Sequence, residues 1–155
     1  MHRPCGRLAF SLIELVMVMT IISTLAAIAV PRYAEALARY RADAAAQRII
    51  TDLDYARQLA QSTSTSVSVR INADNERLRL IDIPDPDDPG NQHTTTELSS
   101  RPYYAQVNTS DFGGDFKIIF DGYGVPDSGG EATISVGLQM RTIALDVDTG
   151  MAVVQ

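Results

Sequence analysis

The chain has 155 residues, 45% of them apolar and 21% charged, which suits one modest domain with its own core. It carries 13 basic and 19 acidic residues, a net charge of -6, which argues against a protein built to coat nucleic acid. The single cysteine, Cys5, excludes an intrachain disulfide and a cysteine-cluster metal site.

Residues 10–30 read FSLIELVMVMTIISTLAAIAV, and Glu14 is their only ionisable side chain. At about 1.5 Å per residue this run reaches roughly 30 Å, the thickness of a bilayer's hydrocarbon core. The preceding MHRPCGRLA holds Arg3 and Arg7 and no acid. Such a segment reads as a membrane anchor or a secretory signal, the latter with Ala27-Ile28-Ala29 as its small-residue site. A secretory signal has a shorter apolar core and no carboxylate near its start. A carboxylate in lipid costs at least a few kcal/mol, so it needs a partner or a path to water. Arginines flank the run on both sides, with Arg32, Arg39 and Arg41 after it, so charge alone does not set its orientation.

Residues 33–61 contain no glycine or proline and are rich in good helix formers. Tyr33, Leu37, Tyr40 and Ala44 recur at helical spacing, and Ile49, Leu53, Ala56 and Ala60 continue the stripe. A membrane helix over 10–30 is expected to bend at Pro31 into an amphipathic helix over 31–62. The run Ser62-Thr63-Ser64-Thr65 ends it, because these side chains compete for backbone hydrogen bonds.

From residue 63 to residue 155 the period changes to two. Val67, Val69 and Ile71 alternate with polar residues, and residues 77–83 return as a second strand after a turn. Further strands are expected over 103–108, 116–120, 132–137, 140–146 and 151–154. The polar stretch over 84–102 reads as a long surface loop, mobile or a partner contact. The fold class expected is α+β. A long N-terminal helix, membrane-spanning in its first half, packs on a small antiparallel two-sheet β-domain.

Catalytic constellations are missing. There is no G-x-S-x-G elbow, no histidine-rich metal spacing and no phosphate-binding glycine loop. No cofactor is expected. Calcium is the one small ligand worth weighing, at Asp85, Asp87 and Asp88 or at Asp146 and Asp148, although aspartate turns explain both clusters. Arg70, Arg77 and Arg79 share the outer face of the first hairpin, a solvated face or a local phosphate contact. On an acidic domain the solvated face is the favoured reading.

Ala9-Phe10-Ser11-Leu12-Ile13-Glu14 resembles the prepilin processing motif of type IV pilins and type II secretion pseudopilins. In that family a short basic leader, here 1–9, is removed in front of a phenylalanine. The resemblance implies a cut between Ala9 and Phe10, N-methylation of Phe10, and retention of Glu14. Pro31 stands where the family places a helix-kinking proline. Ala9 replaces the family's usual glycine. Later, Phe120-Asp121-Gly122-Tyr123-Gly124-Val125-Pro126 and Asp148-Thr149-Gly150 resemble the C-terminal domain of the H-type minor pseudopilin.

The resemblance implies a structural minor pseudopilin of a type II secretion pseudopilus. Its expected partners are prepilin peptidase, other pseudopilins or pilins, an inner-membrane assembly platform and membrane lipid; nucleic acid is disfavoured. Its expected location is the cell inner membrane, single-pass, with the C-terminal domain periplasmic. Glu14 would meet the Phe10 amine of a neighbour and set subunit register, since a buried ammonium and a buried carboxylate are tolerable only as a pair. The alternatives are a minor type IV pilin, for pilus assembly or DNA uptake, and a single-pass anchored binding module. No enzymatic activity is implied.

Overall fold

A computed structural model describes residues 11–74, 76–81, 83, 90 and 93–155. The chain divides into two compact units, Met1–Leu37 and Ala38–Gln155. The boundary falls inside a single helix, α1 (Leu12–Thr63), which has Pro31 in its interior. Proline lacks the N–H that would bond four residues back. The helix nevertheless continues on both sides of it.

In the first unit every large apolar side chain from Leu12 to Val30 is exposed. Exposure ranges from 44% at Val18 to 80% at Leu12. In the second unit the helix turns small residues inward. Ala42, Ala45, Ala46, Ile49, Leu53, Ala56 and Ala60 are buried, spaced three and four apart. Five alanines let the backbone come close to the strands. The expected stripe holds from Ile49 to Ala60 and fails before it. Tyr33 and Tyr40 are 71% and 72% exposed, because the buried face runs through the alanines instead.

Eight strands follow: β1 (Val67–Asn72), β2 (Arg77–Ile81), β3 (Thr94–Glu97), β4 (Gln106–Phe112), β5 (Lys117–Phe120), β6 (Gly130–Val136), β7 (Gln139–Leu145) and β8 (Ala152–Val154). They form two four-stranded sheets, in the orders β3-β2-β1-β5 and β4-β6-β7-β8. Every pairing is antiparallel. Alternation sends Val67, Val69 and Ile71 inward, where they meet Ile118, Phe120, Ile134 and Ile143 in one core with the helix alanines. The buried Ser110 hydroxyl donates to Ile71 O at 2.9 Å and ties the sheets together.

Two strand expectations need correction. The stretch over 84–102 contains β3, which pairs with β2 from Arg77↔Glu97 to Leu80↔Thr94. Its sequence, Thr-Thr-Thr-Glu, carries no apolar residue and so gives no period-two signal. The strand expected over 103–108 starts at Gln106 and runs on to Phe112, with a bulge between Val107 and Thr109. That bulge restores the inward phase for Ser110 and Phe112.

Candidate assembly surfaces

The described part of the span is an exposed, apolar helical surface. An 18-residue window reaches a mean hydropathy of 2.3, and none of it is buried among the described residues. Such a surface needs lipid or another apolar helix. Its hydroxyls need neither. Thr20 and Thr24 donate to the carbonyls of Met17 and Ile21, and Ser23 donates to Met19 O, at 2.7–2.8 Å. Within lipid these bonds hide the polar atoms. Glu14 lies in the first described turn of this surface. Ala9 and Phe10, the expected cleavage and methylation positions, lie outside the described residues.

The other end of α1 meets the glycine turns. Ser62 and Thr63 donate their hydroxyls back to Leu59 O at 3.0 and 2.7 Å. Ser64 then takes a left-handed φ of 51° and stops the helix. Gln61 Nε2 donates to Tyr123 O at 2.9 Å, and Arg57 Nη1 donates to Thr149 O at 3.2 Å. A side chain at Gly122 would stand 2.9 Å from the Ser64 backbone. At Gly150, with φ +65°, a Cβ would stand 2.8 Å from Gly124 O. The two glycine motifs are therefore the seat of the helix end, and close approach explains their composition.

Aspartates organise those turns. Asp121 Oδ1 accepts from the N–H groups of Tyr123 and Val125 at 2.9 and 2.8 Å. Asp146 Oδ1 accepts from Asp148 and Thr149 at 2.8 and 2.9 Å. Hydrogen bonds from Thr149, and then from Asp148, hold the Asp146 carboxyl below its usual range. This is a turn role for one of the two aspartate clusters weighed for calcium. The other, Asp85, Asp87 and Asp88, lies outside the described residues. Among the described residues no three His, Cys, Asp or Glu side chains converge as metal ligands would.

One polar group is embedded between helix and sheet. Asp52 is buried, accepts from Thr96 Oγ1 of β3 at 2.7 Å, and pairs with Arg48 Nε at 3.0 Å. Burial pushes its carboxyl above the usual range, against the Thr96 hydrogen bond and the Arg48 charge. Arg48 and Asp52 stand four apart on one helix, a spacing visible in the sequence. Their partner Thr96 is 44 residues further on and is not. Asp43 likewise reaches Arg141 of β7 at 2.6 Å, and Arg41 stacks 4.7 Å from the Tyr104 ring centroid. Arg70, Arg77 and Arg79 share the outer, solvent face of the first sheet, and Arg77 bonds Glu97 at 2.7 Å.

Three comparisons bear on identity. Residues 45–150 match the family described as type II transport protein GspH. Comparison with curated protein sequences gave no match. Among solved structures the chain is similar to the type IV minor pilin FimU of Pseudomonas aeruginosa PAO1. The TM-score is 0.57 at 14% identity, over 76% of this chain and 90% of that one. At that identity the likeness is one of fold: a long helix on two antiparallel sheets. The matched family segment holds α1 from Ala45 onward, strands β1 to β7 and both glycine motifs. The chain belongs to the type II transport protein GspH family and has the structural role of a minor pseudopilin or pilin.

Proposed function

We propose that the chain is made as a precursor, cut between Ala9 and Phe10 by prepilin peptidase, and methylated on Phe10. The mature subunit is held in the inner membrane by residues 10–30, with its β-domain in the periplasm. An inner-membrane platform then draws it into a short filament with other pseudopilins. It carries out no chemistry of its own and uses no metal; its work is packing and register. The supporting observation is Glu14, set in a helical surface whose large apolar side chains are all exposed. In a filament those side chains bury against other spans, and Glu14 meets a neighbour's Phe10 amine.

The test is the intact mass and N-terminus of the protein purified from membranes. A chain starting at Phe10 with one added methyl group supports the reading. A chain starting at Val30 makes it a secreted domain, and an uncut chain makes it a plain anchored module. Glu14→Gln should leave membrane insertion unchanged and reduce filament incorporation roughly tenfold or more, as expected when a buried charge loses its partner. Normal incorporation of that variant ends the register argument. A second reading, a minor type IV pilin, is favoured by the fold shared with FimU. Deleting the protein separates the two: secretion fails in the first case, and pilus assembly in the second.

A further inference from the structure

The last turns of α1 and the open end of the first hairpin frame a cavity of about 370 Å³. That volume falls at the small end of the range for small-molecule sites. Leu59, Val67 and Ile83 supply its aliphatic wall. Thr65, Ser66 and Ser68 supply hydroxyls, and no charged side chain among the described residues lines it. The Thr65 hydroxyl is already bonded to that of Thr63 at 2.7 Å. The hydroxyls of Ser66 and Ser68 have no partner among the described residues. At the mouth Ser68 stands directly opposite Ile81, which also lines the cavity.

The next pair on the same face of that hairpin is Arg70 opposite Arg79. It lies two residues along each strand, about 7 Å away by strand geometry. Lys117 stands opposite Arg70 on its other side. Directly opposed residues have Cβ atoms about 4.5–5.5 Å apart, and like charges so placed repel. Arg70, Arg79 and Lys117 have no acidic partner among the described residues. Arg77 shows the contrast: it is opposed by Glu97 and bonds it at 2.7 Å. The row lies on the outer face of the sheet, so no packing need holds the three cations together.

We propose that the cavity and the cation row together form a binding site for a phosphorylated sugar. The phosphate rests on Arg70, Arg79 and Lys117, accepts charge-assisted hydrogen bonds and relieves the repulsion within the row. The sugar ring enters the cavity. Its hydroxyls pair with those of Ser66 and Ser68, and its C–H face lies on Val67 and Ile81. A pyranose is polar at its rim and apolar on its faces, which matches a cavity that is part hydroxyl and part aliphatic. Inorganic phosphate leaves the cavity unfilled, and a neutral sugar leaves the cations bare. An acyl chain in the cavity would cover the two serine hydroxyls without giving them partners, which costs free energy. The site makes no use of the span, so it goes beyond the pseudopilin reading and does not depend on it.

The test is calorimetry on the full chain in a neutral detergent without a sugar headgroup. Glucose 6-phosphate should bind roughly tenfold or more tighter than inorganic phosphate or glucose, since each of those makes only part of the contacts. Arg70→Gln with Arg79→Gln should weaken glucose 6-phosphate roughly tenfold, as loss of charge-assisted hydrogen bonds does. Ser68→Val should remove the advantage of glucose 6-phosphate over phosphate and leave phosphate binding unchanged. Valine suits a strand, and the retained phosphate binding shows that the variant still folds. Equal affinity for glucose 6-phosphate and phosphate overturns the site. So does a Ser68→Val chain that keeps the wild-type preference. Duplex DNA held by Arg70 and Arg79 and indifferent to Ser68→Val, with no preference for glucose 6-phosphate over phosphate, also overturns it and assigns the row to nucleic acid. Each of these failures leaves the Glu14 argument standing.

Discussion

The two halves of α1 are built from different residues, β-branched and apolar in the first and alanine-rich in the second, and meet opposite fates. From Leu12 to Val30 the large apolar residues lie on every face and all are exposed. From Ala42 to Ala60 the buried positions are mostly alanine, and the larger Ile49 and Leu53 sit at the centre of the core. Helix formation is therefore common to both, and the difference lies in what the side chains seek. Uniform apolar bulk seeks lipid or other helices. A narrow strip of small residues seeks a sheet at close range. One helix can then present an outward apolar surface in the first unit and a buried face in the second.

The sharpest break of that contrast is truncation of a leucine in each half. Leu53→Ala should destabilise the β-domain by about 2–5 kcal/mol, the usual cost of emptying a packed leucine site. Leu25→Ala should leave it within about 0.5 kcal/mol, since its side chain touches no core. Urea unfolding of the full chain in detergent, followed by tyrosine fluorescence because no tryptophan is present, measures both. Equal effects would show that the halves form one cooperative unit.

A smaller effect is expected where the helix ends. Gly150→Ala puts a Cβ 2.8 Å from Gly124 O at a left-handed φ of +65°. It should cost about 1–3 kcal/mol, the usual range for a strained backbone position. Gly114→Ala serves as its control. It shares a positive φ, +90°, but has nothing within 4 Å, so it isolates backbone strain from collision. A loss at Gly150 no larger than at Gly114 would remove the seat for the helix end from the account.

The smallest effects are in pH. Asp52 has a raised folded pKa, so its contribution is fully present below the unfolded value near 3.8 and is lost as pH rises through the elevated one. Asp146 has a lowered pKa, so its contribution is present above 3.8 and is lost as pH falls through the depressed value. Stability of the wild type minus that of Asp52→Asn should therefore fall as pH rises above about 4. For Asp146→Asn the same difference should fall as pH drops below about 4. Urea midpoints across pH 3 to 7 check both signs, and matching signs would contradict the assigned causes.

Much of this was legible residue by residue. The period-two runs around Val67–Asn72 and Arg77–Ile81 announced strands, because alternation is what a half-buried sheet requires. β3 stayed hidden, because Thr94–Glu97 owes its place to pairing with β2 and to the Asp52–Thr96 bond, neither of which is local. Tyr33 and Tyr40 misled for a related reason. Helical spacing gives several candidate stripes on an alanine-rich helix, and only the approach of the sheets selects one.

The sequence by itself determined that residues 10–30 form an apolar run with one carboxylate, and that a helix precedes a β-domain. Hydropathy and periodicity are properties of neighbours along the chain, so they need no fold to be read. Only the tertiary structure decided which helix face is buried, which threonine bonds Asp52, and which cations stand in one row. Those depend on strand register, and register is set where distant segments meet.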